Sequence, residues 1–288
     1  MGLVIYALIT MLLFIGLSVR KANQFAKMPL HGRQDLYPIP KEKGHEHGGS
    51  YYEEVGWWKK PRETSGASEL KDMLKEMLFI KKLFDNQRPF WWISYALHLG
   101  IYCLMGWTIL LVVGAITEFS GGTVASLSSA WGMLIYYATL LFGWIGFLLV
   151  AVGAASLILR RLTNSQLSRY TTPQEYFNLL LIFVVAVTGI AVWGDTGMTG
   201  ALAAMESVLS FQPLNASPLL AVHIILLGIM LTYIPLSKMS HYVGKYFTFH
   251  KVLWENEPNL PGSKITEQMK KAAGKKPQNS WSAPHIKG

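Results

Sequence analysis

The sequence has little charge and almost no cysteine. Of its 288 residues 15% are charged and 51% apolar, whereas an average soluble domain carries about 25% charged residues. With a mean hydropathy of +0.28, that balance argues against a soluble α/β enzyme. The single cysteine, Cys103, sits inside an apolar run. One thiol makes no internal disulfide, no four-Cys iron–sulfur site and no Cys-rich zinc site. The string C-x-x-C-H is absent, which excludes covalently attached haem. There is no dinucleotide or flavin fingerprint and no visible internal repeat. Any redox role requires a non-covalent cofactor held by other ligands.

What the chain has instead is long apolar runs. Residues 2–19, 91–117, 130–159, 177–193 and 219–236 contain no charged side chain. Each reaches or approaches the ~20 residues that cross a bilayer core as helix, where the backbone must satisfy its own hydrogen bonds. The first run has no basic stretch before it and no small-residue cleavage site after it, so it reads as a span rather than a signal peptide. The expected fold class is an all-α membrane protein with five transmembrane helices.

The net charge of +9 first raises the question of nucleic acid. Its distribution answers otherwise. Segment 20–90 carries 14 Lys and Arg, 160–176 carries three and 237–288 carries nine, which is all 26. The alternate loops, 118–129 and 194–218, carry none. Their only charges are Glu118, Asp195 and Glu206. By the positive-inside rule the basic side is cytoplasmic, the N-terminus outside and the C-terminus inside, as in a multi-pass protein of the cytoplasmic membrane. Phe90-Trp91-Trp92 on the inner side and Trp131 and Trp193 on the outer side read as interface anchors. Anionic lipid headgroups and a docked partner account for the basic side without nucleic acid.

The organisation expected is a first span at 1–19, a cytoplasmic loop at 20–90, a four-helix membrane core at 91–252 and a cytoplasmic tail at 253–288. Within the loop, Leu70, Met73, Met77, Ile80 and Phe84 recur at helical spacing. They predict an amphipathic interfacial helix over 69–85, capped by Ser68 and stopped before Pro89. The tail from 255 is expected to be extended until a partner orders it. In the outer loop, GALAAMESVLS predicts a short helix.

Eight histidines punctuate the chain: His31, His45, His47, His98, His223, His241, His250 and His285. Three lie in or beside spans, where a polar side chain marks function by default. His98 falls on the second span, His223 near the outer end of the fifth, and His241 at its inner end. Eighteen residues separate His223 from His241, five turns of an unbroken helix, which puts both on one face. His98 and His241 lie at similar depth on different helices. Imidazoles so placed are what a b-type haem uses, one on each side of the iron. Gly100 and Gly106 are candidates for letting a flat macrocycle approach the second span. His45 and His47, an i,i+2 pair, are too few for a metal site, and the other histidines read as surface groups.

The string His223-x4-Gly228-x6-Pro235-x-Ser237-Lys238-x2-His241 resembles the gamma subunit of respiratory nitrate reductase, and ALHLGI around His98 resembles its second-helix ligand region. The likeness extends to the membrane cytochromes b of the DsrM, Tmc and heterodisulfide-reductase types, through EMLFIKKLFDN (76–86) just before the second span. It covers roughly 1–19 and 70–250. It implies a membrane cytochrome b subunit of a respiratory complex, with haem b between the second and fifth helices. Such a subunit passes electrons between a quinone or menaquinone pool and a cytoplasmic iron–sulfur subunit of heterodisulfide-reductase type, and is not catalytic alone. An outer c-type cytochrome is a further candidate partner. The implied setting is sulfur, nitrate or disulfide respiration.

Two-haem relatives carry a second histidine ten residues after the first, and here that position is Thr108. The expectation is one haem b on His98 and His241. His223 remains either the ligand of a second haem or, with Thr108 and loop 194–210, part of an outer quinone pocket. Lys238, Arg160 and Arg88 are candidate partners of the haem propionates, though each equally suits a positive-inside anchor. The rival class is a cofactor-free transporter or a membrane scaffold. Against a transporter, the spans hold no acidic or basic residue and show no pseudo-repeat.

Overall fold

A computed structural model describes residues 1–27, 66–254, 261–262 and 264–274. Every element among them is helical. In order they are α1 (Gly2–Ala26), α2 (Gly66–Phe79), α3 (Lys81–Asn86), α4 (Arg88–Phe119), α5 (Ala130–Thr163), α6 (Ser165–Tyr170), α7 (Pro173–Leu209), α8 (Pro218–Tyr233), α9 (His241–Trp254) and α10 (Lys264–Ala273). Two 3₁₀ turns, Ile234–Leu236 and Lys238–Ser240, separate α8 from α9. Five segments are long and apolar enough to cross a membrane: α1, α4, α5, α7 and Pro218–Leu236.

The chain divides into two units, one of residues 1–21 with 75–242 and one of 22–74 with 243–288. In the first, α4, α5 and α7 pack on one another and α8 packs along α7. Lipid tails are as apolar as leucine, so helices in a membrane associate through close contact at small residues rather than by hydrophobic transfer. Gly100 shows this. A Cβ added there would lie 2.7 Å from the Val150 backbone nitrogen and 2.9 Å from the Gly146 carbonyl oxygen. Gly153 meets Leu97 in the same way. Gly100 and Gly106 therefore face α5 (Gly106 against the Phe142 ring) and do not offer α4 to a macrocycle. An apolar layer of Leu97, Val150, Ala154, Leu157, Leu179 and Ala186 lies toward the basic end. Another, of Leu111, Ile135, Phe147, Trp193, Met198 and Leu202, lies toward the opposite end. Trp193, expected as an interface anchor, is only 4% exposed and packs edge-on to Trp107. Trp131 is 55% exposed.

Helix α1 is tied to the last span by the Tyr6 hydroxyl, which donates to the Ile225 carbonyl at 2.8 Å, with its ring seated on Gly228. Ser18 and Tyr242 share a hydrogen bond of 2.5 Å. Helix starts carry their expected chemistry. Ser129 and Ser217 accept from the backbone of Gly132 and Leu220, and Glu175 accepts from Thr172 at the start of α7. These contacts satisfy backbone donors that have no partner within their own helix.

Three expectations are corrected. The segment expected to form one interfacial helix over 69–85 forms two helices, α2 and α3. Ile80 stands between α2 and α3 in the left-handed region at φ 51°, which a β-branched residue adopts only under constraint. The constraint is visible. Glu76 accepts from the Lys82 backbone N–H at 2.9 Å. Trp91 Nε1 donates to the Phe79 carbonyl and the Tyr102 hydroxyl to that of Met77, both at 2.7 Å. Helix α2 also begins at Gly66, so Ser68 lies inside it rather than capping it. The tail is not wholly extended, since α10 occupies ten of its residues. And α7 runs on past residue 193 to Leu209, interrupted only at Gly197 (φ 60°, ψ −155°), a conformation that belongs to glycine. The short helix expected in the outer loop is the part of α7 beyond that break.

Candidate functional site: a pair of imidazoles

His98 is carried by α4, and its Nδ1 lies 2.7 Å from the Ser94 carbonyl of the preceding turn. His241 is the first residue of α9, and its Nδ1 lies 3.3 Å from the Lys238 carbonyl. A carbonyl only accepts, so both Nδ1 atoms are the donors, and in the neutral ring this tautomer leaves Nε2 as the ligating nitrogen. The two rings are neighbours, with centroids 6.1 Å apart and planes 62° apart, edge toward face. Imidazole–metal bonds are about 2 Å long, so two imidazoles gripping one ion from opposite sides place their ring centres roughly 6 Å apart. The donor set and spacing therefore fit one metal held from both sides. Among the described residues no three His, Cys, Asp or Glu side chains converge. A metal held by the pair would therefore have two protein ligands, and its remaining coordination would have to come with the bound group, as a macrocycle brings it. In line with His98 along α4 stand Met105, Ile109 and Ile116, each more than half exposed. That apolar strip is left uncovered because α8 lies along α7 rather than α4.

The single-face argument for His223 and His241 does not hold. Pro235 has no N–H to continue the helix and its ring crowds the turn before it. The backbone passes through two 3₁₀ turns with Ser237 extended between them (φ −108°, ψ −179°). The two histidines stand on separate helices whose rotations are independent.

His223 has surroundings of its own. Its Nδ1 is 3.0 Å from the Thr188 hydroxyl of α7, and its ring meets Phe147 edge-on at 6.4 Å. Phe147 in turn packs on Trp107 at 5.4 Å. Thr188 was not singled out by its sequence, being one threonine in an apolar run; only the pairing of α7 with α8 reveals it. Thr108 donates to the Leu104 carbonyl of its own helix at 2.9 Å. The hydroxyl given to His223 is thus Thr188's. Of the three acids expected on the outer side, Glu118 accepts from the Val124 N–H at 2.6 Å.

The candidate propionate partners are placed differently from one another. Lys238 lies 3.5 Å from Glu175, which also has Arg161 at 3.9 Å. It is three residues from His241 and tied to α7. Arg160 sits over the Phe90 ring at 4.5 Å and lines a recess with Ile93. Phe90 and Ile93 stand roughly 80° and 140° round α4 from His98, so Arg160 is not brought to the imidazole pair. Arg88 lies over the Phe84 ring at 4.1 Å. His31, His45, His47 and His285 fall outside the described residues.

The fold defines a class: a multi-pass membrane protein of five apolar helices. No family model matches the chain, and neither a curated protein nor a solved structure matches it.

Proposed function

We propose that the chain is a membrane cytochrome b subunit that passes electrons between a quinone pool and a cytoplasmic iron–sulfur partner. The observation that carries the reading is the His98–His241 pair, with rings 6.1 Å apart and each Nδ1 held by a backbone carbonyl. A haem b bound there supplies one-electron chemistry. The protein's part is to fix both rings in the Nδ1–H tautomer and mount them on helices anchored elsewhere. Ser94 and Lys238 do the first. For the second, α4 is locked to α5 through Gly100, while the start of α9 is held by the Lys238–Glu175 ion pair and by Tyr242 against Ser18.

His223 and Thr188 form the quinone-facing end of this reading. An imidazole hydrogen-bonded to a hydroxyl can bond a quinone carbonyl and exchange a proton. On the same reading the basic side faces the cytoplasm. Helix α2 lies in the interface with Leu70, Leu74 and Leu78, all exposed, toward lipid, and the basic segments receive the iron–sulfur partner. A reduced-minus-oxidised spectrum of the purified full chain tests the proposal. A b-type α-band is expected in the wild type and none in His98→Ala. A wild-type chain that takes up no haem when reconstituted with it overturns the reading.

A further inference from the structure

We propose that the recess between the basic ends of α4 and α5 is a binding site for the phosphate of an anionic phospholipid. The recess, about 580 Å³ and broadly open, is lined by Ile93, Ser156, Leu159, Arg160, Thr163 and Asn164. Its chemistry is divided in two. At the end of α5 it gathers, in Arg160, Ser156 and the Asn164 amide, donors that make no hydrogen bond among the described residues. Arg161 points to Glu175 and donates to Thr171, whereas Arg160 next to it has no carboxylate within ion-pair distance among the described residues and rests only on Phe90. The Asn164 side-chain oxygen accepts from the Gln166 and Leu167 backbone at 3.0 and 3.1 Å, which leaves its amide NH₂ to donate elsewhere. Ser156 adds a hydroxyl. Leu159, beside Arg160 on α5, and Ile93, about one turn past Phe90 on α4, make an apolar wall, and Leu159 is 62% exposed.

A planar guanidinium with neighbouring neutral donors is suited to a phosphate, which it can meet through two parallel hydrogen bonds. No acidic side chain lines the recess to repel an anion. A soluble phosphate would leave the apolar wall unused. A phospholipid uses both halves, with its headgroup on Arg160, Ser156 and Asn164 and an acyl chain along Leu159 and Ile93. The site also lies at the level where headgroups meet tails, at the end of a span. The stack on Phe90 holds the guanidinium in place, so less side-chain freedom is lost on binding. The inference does not depend on haem or quinone.

The test uses the full chain, delipidated in detergent and titrated with phosphatidylglycerol, with phosphatidylcholine of the same acyl chains, or with glycerol 3-phosphate, and read by native mass spectrometry. The wild type is expected to retain phosphatidylglycerol about tenfold better than phosphatidylcholine, and glycerol 3-phosphate is not expected to displace it. Arg160→Gln and Ser156→Leu should each abolish the preference. Arg160→Lys should keep part of it, and Arg169→Gln, on exposed α6, all of it. Equal retention of the two lipids, an undiminished preference in both Arg160→Gln and Ser156→Leu, or displacement by glycerol 3-phosphate would overturn the proposal. Arg160→Lys and Ser156→Leu keep it falsifiable if Arg160→Gln does not fold.

Discussion

His98 and His223 sit in apolar helices toward opposite ends of the bundle, each with its Nδ1 engaged by an oxygen about one hydrogen bond away. The oxygens differ. Ser94 offers a carbonyl, which can only accept, so His98 has one available tautomer. Thr188 offers a hydroxyl. Its proton can go to the Val184 or Val185 carbonyl, both 3.0 Å away, leaving the oxygen to accept from His223, or it can turn and donate to the ring. The His98 ring is thus held in one tautomer, which on the proposed reading suits ligation, while the His223 ring has a partner that can either give or take a hydrogen bond. The second neighbours differ in the same sense. His98 faces a second imidazole, and His223 faces Phe147.

The sharpest way to break this comparison is to delete either inner ring. His98→Ala and His241→Ala should each remove the b-haem spectrum altogether, because one imidazole leaves the other without its opposite ligand; haem content per chain checks this. His223→Ala should leave haem content unchanged and lower quinol-driven haem reduction about 100-fold, the scale of a lost proton-transfer group. Loss of haem in that variant would make the two sites alike. Gly100→Ala forces a methyl onto the α5 backbone. It should destabilise the bundle by about 1–3 kcal/mol, read as a lowered midpoint in thermal unfolding in detergent. Thr188→Val removes the hydroxyl but keeps the shape. A several-fold slower quinol reaction is expected, about what one net hydrogen bond is worth, with normal haem content and with Thr188→Ser restoring the rate. Glu175→Gln should cost about 0–1 kcal/mol of stability, since its ion pairs are partly solvated, with a small change in haem retention because Lys238 then holds the start of α9 less firmly.

Composition and spacing made the five spans and the one-sided distribution of Lys and Arg legible, because twenty uncharged apolar residues have few other uses. The pairing of His98 with His241 was legible for a related reason: an imidazole is costly enough in an apolar span to stand out. Backbone geometry at the breaks was not legible. Counting turns from His223 to His241 assumed a continuous helix, and Pro235 with Ser237 ends it. Ile80 gave no warning at all, because a β-branched residue at φ 51° is held there by Glu76, Trp91 and Tyr102, none of which is marked locally for that task. Gly100 and Gly106 were read as openings and proved to be contacts, since a small residue in a span serves whichever neighbour comes closest. Thr188 became visible only when α7 and α8 were brought together.

The His98–His241 pair joins residues 143 positions apart, one on the second span and one just past the fifth. At translation rates of about 5–20 residues per second, roughly 7–30 s pass between the emergence of the first ring and that of the second. On the proposed reading, a haem between the two rings is loaded only after the fifth span has been made. A nascent chain halted before residue 241 holds all five spans but only one of the two rings, so on the proposed reading cofactor acquisition follows membrane insertion of the spans.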